Sequence, residues 1–153
     1  MKFSNHRYEH TDTDTIKIEV NLDDLSAEIL GFLMDKLLEE GANDVFYTPI
    51  YMKKNRPAIM LQVLCGNNHL DKMKEIIFSE TTTFGIRYYP LEVHRLERRF
   101  YTVNSNWGPV TIKEGLAAGK VVQRSPEYED CKKISKQIGV PLKEVYADIW
   151  KRL

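Results

Sequence analysis

Apolar residues recur along this chain with two different periods, and each change of period marks the edge of an element. From Thr15 to Asn21 every second residue is apolar, and Ile16, Ile18 and Val20 share one face, which predicts a half-buried strand. Asn21-Leu-Asp-Asp24 interrupts it, and Ser26 is placed to cap a helix. In that helix Ile29, Leu33 and Leu37 form one stripe, with Leu30, Met34 and Leu38 beside it, until Gly41 ends it. Residues 45–51 and 58–65 read as two strands flanking the turn Lys53-Lys-Asn-Arg-Pro57, most simply a hairpin. Asn67 or Asn68 is the expected cap of a second helix, where Leu70, Met73, Ile76 and Ile77 recur at helical spacing. Residues 86–91 read as a fourth strand.

The order β-α-β-β-α-β over residues 15–91 predicts a ferredoxin-like two-layer sandwich, in the α/β (α+β) class. Residues 1–14 are polar and read as a flexible lead-in. A smaller β/α domain is expected over residues 92–153. Its strands are placed at 93–103, 108–113 and 120–124, with Asn104-Ser-Asn-Trp-Gly108 as the first turn. Pro126 is suited to the first position of a helix whose inner face carries Ile134 and Ile138. Gly139-Val-Pro141 stops that helix, and residues 142–150 form a last one.

Composition narrows the partners. With 22 basic and 22 acidic residues among 153 the formal charge is zero, so a non-specific DNA or RNA coat is disfavoured and any anion site is local. No apolar run approaches the ~20 residues of a membrane span, and the first ten residues contain no secretory h-region. Cys65 and Cys131 have no CxxC spacing and read as reduced structural thiols, which points to a cytoplasmic protein.

Two segments carry candidate chemistry. Lys53, Lys54 and Arg56 crowd three cations onto one turn, which suits an anionic ligand; a solvated hairpin tip is the plainer alternative. Thr81, Thr82 and Thr83 lie at a helix-to-strand junction, where hydroxyls and backbone N–H groups can meet phosphate, or where threonine merely begins a strand. Arg87 could reach the same phosphate or pair with Glu80. Asp23, Asp24 and Glu28, and separately Glu127, Glu129 and Asp130, could ligate a divalent ion or simply complement helix dipoles. His6 and His10 are spaced for a helical nickel pair but lie in the polar lead-in. Tyr88, Tyr89, Trp107 and Tyr128 are candidates to stack on a base.

One family pattern gathers these motifs. Asn21-Leu-Asp-Asp24 followed by Glu28, Gly41-Ala-Asn-Asp-Val-Phe46, Thr48-Pro-Ile50, Met52-Lys-Lys-Asn-Arg-Pro57, Leu64-Cys65, Ile77-Phe-x-Glu-Thr-Thr-Thr83, Gly85-Ile-Arg87, Trp107-Gly108 and Pro126-Glu-Tyr-Glu-Asp-Cys131 run in order. Each is weak alone; as an ordered set they resemble the C-terminal region of the LarC family of nickel insertion proteins. The resemblance implies a CTP-dependent cyclometallase of the lyase class. It would place nickel between a pyridinium carbon and two sulfurs of the pyridinium bis-thiocarboxylate mononucleotide, the nickel-pincer cofactor of lactate racemase. CTP would be split to CMP and pyrophosphate. The implied catalytic set is Lys53, Lys54 and Arg56; the implied nucleotide site adds Asn55, Thr81, Thr82, Thr83 and Arg87. Mg²⁺ or Mn²⁺ would accompany CTP, with Asp23, Asp24 and Glu28 as candidate ligands. Family members carry an N-terminal domain with a histidine-rich segment that supplies Ni²⁺. Here the four histidines, at 6, 10, 69 and 94, form no such cluster, so the chain resembles the C-terminal domain alone. A homo-oligomer, a trimer or hexamer, is expected from the sheet edges of a ferredoxin-like unit. The rival expectation is a non-catalytic ferredoxin-like module that senses a small ligand.

Overall fold

A computed structural model describes residues 7–153, which form two compact units, Asp12–Val93 and the residues up to Thr11 together with His94–Leu153. In the first unit β1 (His10–Leu22), α1 (Ala27–Glu39), β2 (Asp44–Met52), β3 (Arg56–Gly66), α2 (Leu70–Glu80) and β4 (Arg87–Arg95) follow the expected order. The sheet runs β2-β3-β1-β4, the strand order of the ferredoxin-like sandwich. β3 is antiparallel to both neighbours, with Ile18 opposite Val63 and Val45 opposite Val63 on its other side. Alternation in β1 sends Ile16, Ile18, Val20 and Leu22 into a core shared with Leu30, Leu33 and Leu37 of α1 and Met73, Ile76 and Ile77 of α2. Lys17, Glu19 and Asn21 therefore face the other way.

Ser26 caps α1 as expected, its Oγ accepting the Ile29 N–H. Gly41 follows at φ +106°, and a Cβ there would stand 2.7 Å from the His69 ring. Tyr47 ties β2 to α1 by donating its hydroxyl to the Leu30 carbonyl, and burial pushes its phenol up to about 12.

Several local expectations are corrected. Residues 10–14, read as part of the lead-in, open β1, since strand pairing uses backbone groups and does not require apolar side chains. The buried stripe of α1 is Leu30, Leu33 and Leu37, whereas Ile29 is 41% exposed and Leu38 43%. Asn67 and Asn68 belong to a short 3₁₀ turn, and α2 starts from His69 without a side-chain cap.

The second unit holds a sheet ordered β5-β6-β7, from Glu97–Ser105, Gly108–Ala117 and Lys120–Pro126. Residues 93–103 do not form one strand: β4 stops at Arg95 and β5 starts at Glu97, with Leu96 between them packed over Gly115. Helices α3 (Tyr128–Ile138) and α4 (Leu142–Trp150) cover Val110 and Ile112 with Cys131, Ile134, Val145 and Ile149. Pro126 ends β7 instead of opening α3. It pairs with Ile112 on an edge strand, where proline's missing N–H is tolerated. Ile138 is exposed, because the helix stops there against Gly139 at φ +78°.

Candidate functional site

The hairpin tip has an unusual backbone. Pairing of β2 with β3 continues to Met52 opposite Arg56, leaving only Lys53–Asn55 to turn the chain. Lys54 and Asn55 both take positive φ, 63° and 57°. Left-handed backbone at a non-glycine residue costs on the order of 1–3 kcal/mol and concentrates at functional loops. Both lysines are exposed, and neither forms an ion pair with a described residue. Arg56 Nη2 lies 2.8 Å from Asp23 Oδ2. That oxygen is buried yet receives no directed hydrogen bond, because the approach is close in distance but poorly aligned.

At the far end of α2 the threonines fold the chain back on itself. Thr81 caps the helix, its Oγ1 donating to the Ile77 carbonyl at 2.7 Å. Thr83 Oγ1 donates to the Gly85 carbonyl and accepts the Gly85 N–H, and Thr83 N–H donates to Thr81 Oγ1. Thr82 alone reaches across, donating to Asp24 Oδ1. The hydroxyl donors are thus committed to the protein. What the junction presents outward is the fully exposed ring of Phe84.

Arg87, the first residue of β4, donates from Nη2 to Asn21 Oδ1 at 2.8 Å and places Nε 3.6 Å from Glu19 Oε2. The expected Glu80 partner is engaged elsewhere, 2.6 Å from Lys36 Nζ. Glu19 in turn accepts the Tyr89 hydroxyl at 2.8 Å and faces Lys17 at 3.1 Å. The Tyr89 hydrogen bond, followed by that of Lys17, holds the Glu19 carboxyl below the usual carboxylate range; the same contact raises Lys17.

The end of β1 and the residues just beyond it therefore join the two segments. Asn21 holds Arg87, Asp23 faces Arg56, and Asp24 holds Thr82. Arg56, Thr82 and Arg87 of the sequence-based set are brought to one strand end. Lys53, Lys54 and Asn55 stand on the adjoining turn, and Thr81 and Thr83 shape the junction.

The carboxylates behave differently from a metal nest. Among the described residues no group of three His, Cys, Asp or Glu is placed to hold a metal ion. Glu28 is an exposed first-turn residue of α1. Glu127 pairs with Lys113, Glu129 with Lys132, and Asp130 accepts the Thr111 N–H, so these three serve local structure. His10 Nδ1 lies 2.8 Å from the Tyr8 carbonyl; His6 falls outside the described residues. Of the aromatic candidates, Tyr88 and Tyr128 lie under Lys74 and Lys132, Tyr89 holds Glu19, and Trp107 packs on the second unit's core. Cys65 and Cys131 are buried free thiols, pushed up by burial, in keeping with structural roles. Sequence reasoning missed Glu19, Asn21 and the anchoring role of Tyr89. The available signal was the alternation of β1, which leaves Glu19 and Asn21 as the polar positions opposite Ile18 and Val20.

A ferredoxin-like α+β unit with arginines and a threonine turn gathered at one strand end, followed by a smaller β/α unit, defines the class of domain. The chain belongs to the nickel insertion protein family, whose model matches residues 3–146. It is 44% identical over 138 residues to the pyridinium-3,5-bisthiocarboxylic acid mononucleotide nickel insertion protein of Thermotoga petrophila, covering 90% of this chain and 35% of that protein. The protein of the same name in Acetivibrio thermocellus is 46% identical, with 90% and 34% covered. This chain thus spans about a third of the length of these curated relatives. Among solved structures it is similar to LarC2, the apo C-terminal domain of a cyclometallase involved in synthesis of the NPN cofactor of lactate racemase. There the TM-score is 0.87 and the identity 40%, covering 92% of this chain and 96% of the other. Protein MK0293 from Methanopyrus kandleri aligns with a TM-score of 0.66 at 27% identity, covering 88% and 85%. No helix among the described residues is long and apolar enough to cross a membrane.

Proposed function

We propose that this chain is the CTP-binding C-terminal part of a cyclometallase that installs nickel in the pyridinium bis-thiocarboxylate mononucleotide. The observation that carries the reading is the meeting of Arg56, Thr82 and Arg87 at the Asn21–Asp24 strand end. The full set, Lys53, Lys54, Asn55 and Arg56 from the hairpin with Thr81, Thr82, Thr83 and Arg87 from the junction, would hold the triphosphate. Arginine forks grip paired phosphate oxygens, and lysines act as point charges. The Thr82 N–H, the one threonine amide of the turn without a hydrogen bond to a described residue, would add a neutral donor.

A thiocarboxylate oxygen of the pyridinium substrate would attack the α-phosphorus of CTP. The bond to the β-phosphate oxygen breaks, and pyrophosphate leaves with that electron pair. The substrate then carries CMP as a mixed anhydride, which later steps release. Lys53, Lys54 and Arg56 would serve catalysis by stabilising charge on the leaving pyrophosphate.

Of Asp23, Asp24 and Glu28, Asp23 fits an accompanying Mg²⁺ or Mn²⁺ best, because its buried Oδ2 has no aligned donor. Phosphates and water would complete the oxygen ligands, since Mg²⁺ commonly takes one or two carboxylates beside a nucleotide. When bound, the ion would offset phosphate charge. Ni²⁺, the cargo, would arrive from an N-terminal domain. The outer edges of β2 and β4 are the surfaces through which a trimer or hexamer would pair, and we place the protein in the cytoplasm.

Calorimetric titration with CTP, ATP and UTP, each with Mg²⁺, tests the reading. Selective binding of CTP is expected. Indifference to all three nucleotides would sink it and favour a ligand-sensing module without chemistry.

A further inference from the structure

Arg87 is braced by side chains of β1 although it stands half exposed. Its side chain is 54% exposed, yet two of its nitrogens are engaged from below: Nη2 by Asn21 and Nε, more loosely, by Glu19. Met60 Sδ lies 3.7 Å from the same Nη2. The Nη1 edge makes no hydrogen bond to a described residue. Glu19 is itself fixed, by the Tyr89 hydroxyl on one oxygen and by Lys17. All of these lie on the sheet face opposite the one that α1 and α2 cover.

We propose that Asn21 is a positioning residue for Arg87, with Glu19 and Tyr89 as its supporting brace, so that the free guanidinium edge is oriented for an anion before that anion arrives. The inference rests on the phosphate-binding reading above. A free arginine gives up rotamer freedom when it grips a ligand, and a side chain ordered beforehand gives up less. The nearest acceptor being an amide is part of the device. A carboxylate at that distance would orient the arginine but would also cancel much of its charge. An uncharged oxygen orients it and leaves the positive field intact. The nearby carboxylate stands farther off, and Lys17 shares its charge.

Two measurements on the 153-residue chain test this. In the first, MgCTP affinity is measured by calorimetry for wild type, Arg87→Ala, Asn21→Ala and the double variant. Asn21→Ala changes no charge, so it should weaken binding about fivefold through orientation alone, the cost of ordering one rotamer-rich side chain on binding. In the Arg87→Ala background it should change nothing further. Equal losses in both backgrounds, or no loss while Arg87→Ala weakens binding, would overturn the inference and leave the CTP reading standing. The second measurement needs no ligand. The Arg87 Nη2 N–H resonances should be resolved and slow to exchange in wild type and lose that protection in Asn21→Ala, with protection partly lost in Tyr89→Phe. Equal protection in wild type and Asn21→Ala overturns the inference whatever the nucleotide does. Protection that depends on Asn21 in a chain that ignores CTP supports the brace and refutes only the functional reading.

Discussion

Replacing Arg56 with alanine separates a ligand-binding role from a folding role. Arg56 Nη2 lies 2.8 Å from Asp23 Oδ2, with the two side chains 51% and 20% exposed. An ion pair this open to water contributes about 0–1 kcal/mol to stability. In a domain of roughly 60–100 residues, about 1 kcal/mol moves the melting temperature by ~4–8 °C. Arg56→Ala should therefore lower the melting temperature by less than about 8 °C, the upper limit of that range. Binding is a different matter, because a hydrogen bond to a charged group is worth about 1.5–3 kcal/mol, or roughly 10- to 150-fold in affinity. Calorimetry with MgCTP should show a loss in that range, and Arg56→Lys should fall between wild type and alanine because it keeps the charge without the fork. Undiminished CTP affinity in Arg56→Ala would remove Arg56 from the site. A collapse of the fold, seen as a far larger drop in melting temperature, would mean that the Asp23 pair is structural and that the exposure-based reasoning is wrong.

Other consequences are independent of that one. Asp23→Asn should abolish the dependence of CTP affinity on Mg²⁺ concentration; an unchanged metal dependence would place the ion elsewhere. Gly41→Ala should destabilise the chain by more than about 1 kcal/mol in urea unfolding, since alanine is strained at φ +106° and meets the His69 ring; His69→Ala in the same chain should recover only the part due to the clash. Leu33→Ala, at a fully buried position of α1, should cost about 2–5 kcal/mol by the same assay, and a smaller loss would show that the core there can collapse. Because the Tyr89 hydroxyl depresses Glu19, its contribution is fully present above the unfolded carboxyl range and is lost as pH falls through the lower folded value. The stability gap between wild type and Tyr89→Phe should then shrink on acidification, and a gap constant with pH would assign it to packing instead.

Much of the first unit was legible in the pattern of residues. Ile16, Ile18 and Val20 sit at alternate positions and are buried, and Met73, Ile76 and Ile77 repeat at helical spacing and pack beneath them. The ends were less legible. Pro126 reads equally well as a helix start or as an edge-strand end, and only its pairing with Ile112 decides between them. The polar residues 10–14 gave no apolar alternation, so nothing in their side chains announced a strand.

Read by itself, the chain determined its strand and helix order and its family, because periodicity and ordered motifs are local properties of residues near one another in sequence. It also marked which side chains carry charge at the hairpin and at the threonine junction. Partnership was decided by the fold. Arg87 meets Asn21 and not Glu80, Arg56 meets Asp23, and Thr82 meets Asp24 across 58 residues. Such pairings follow from β1 lying between β3 and β4 in the sheet, a long-range arrangement that no stretch of neighbouring residues encodes.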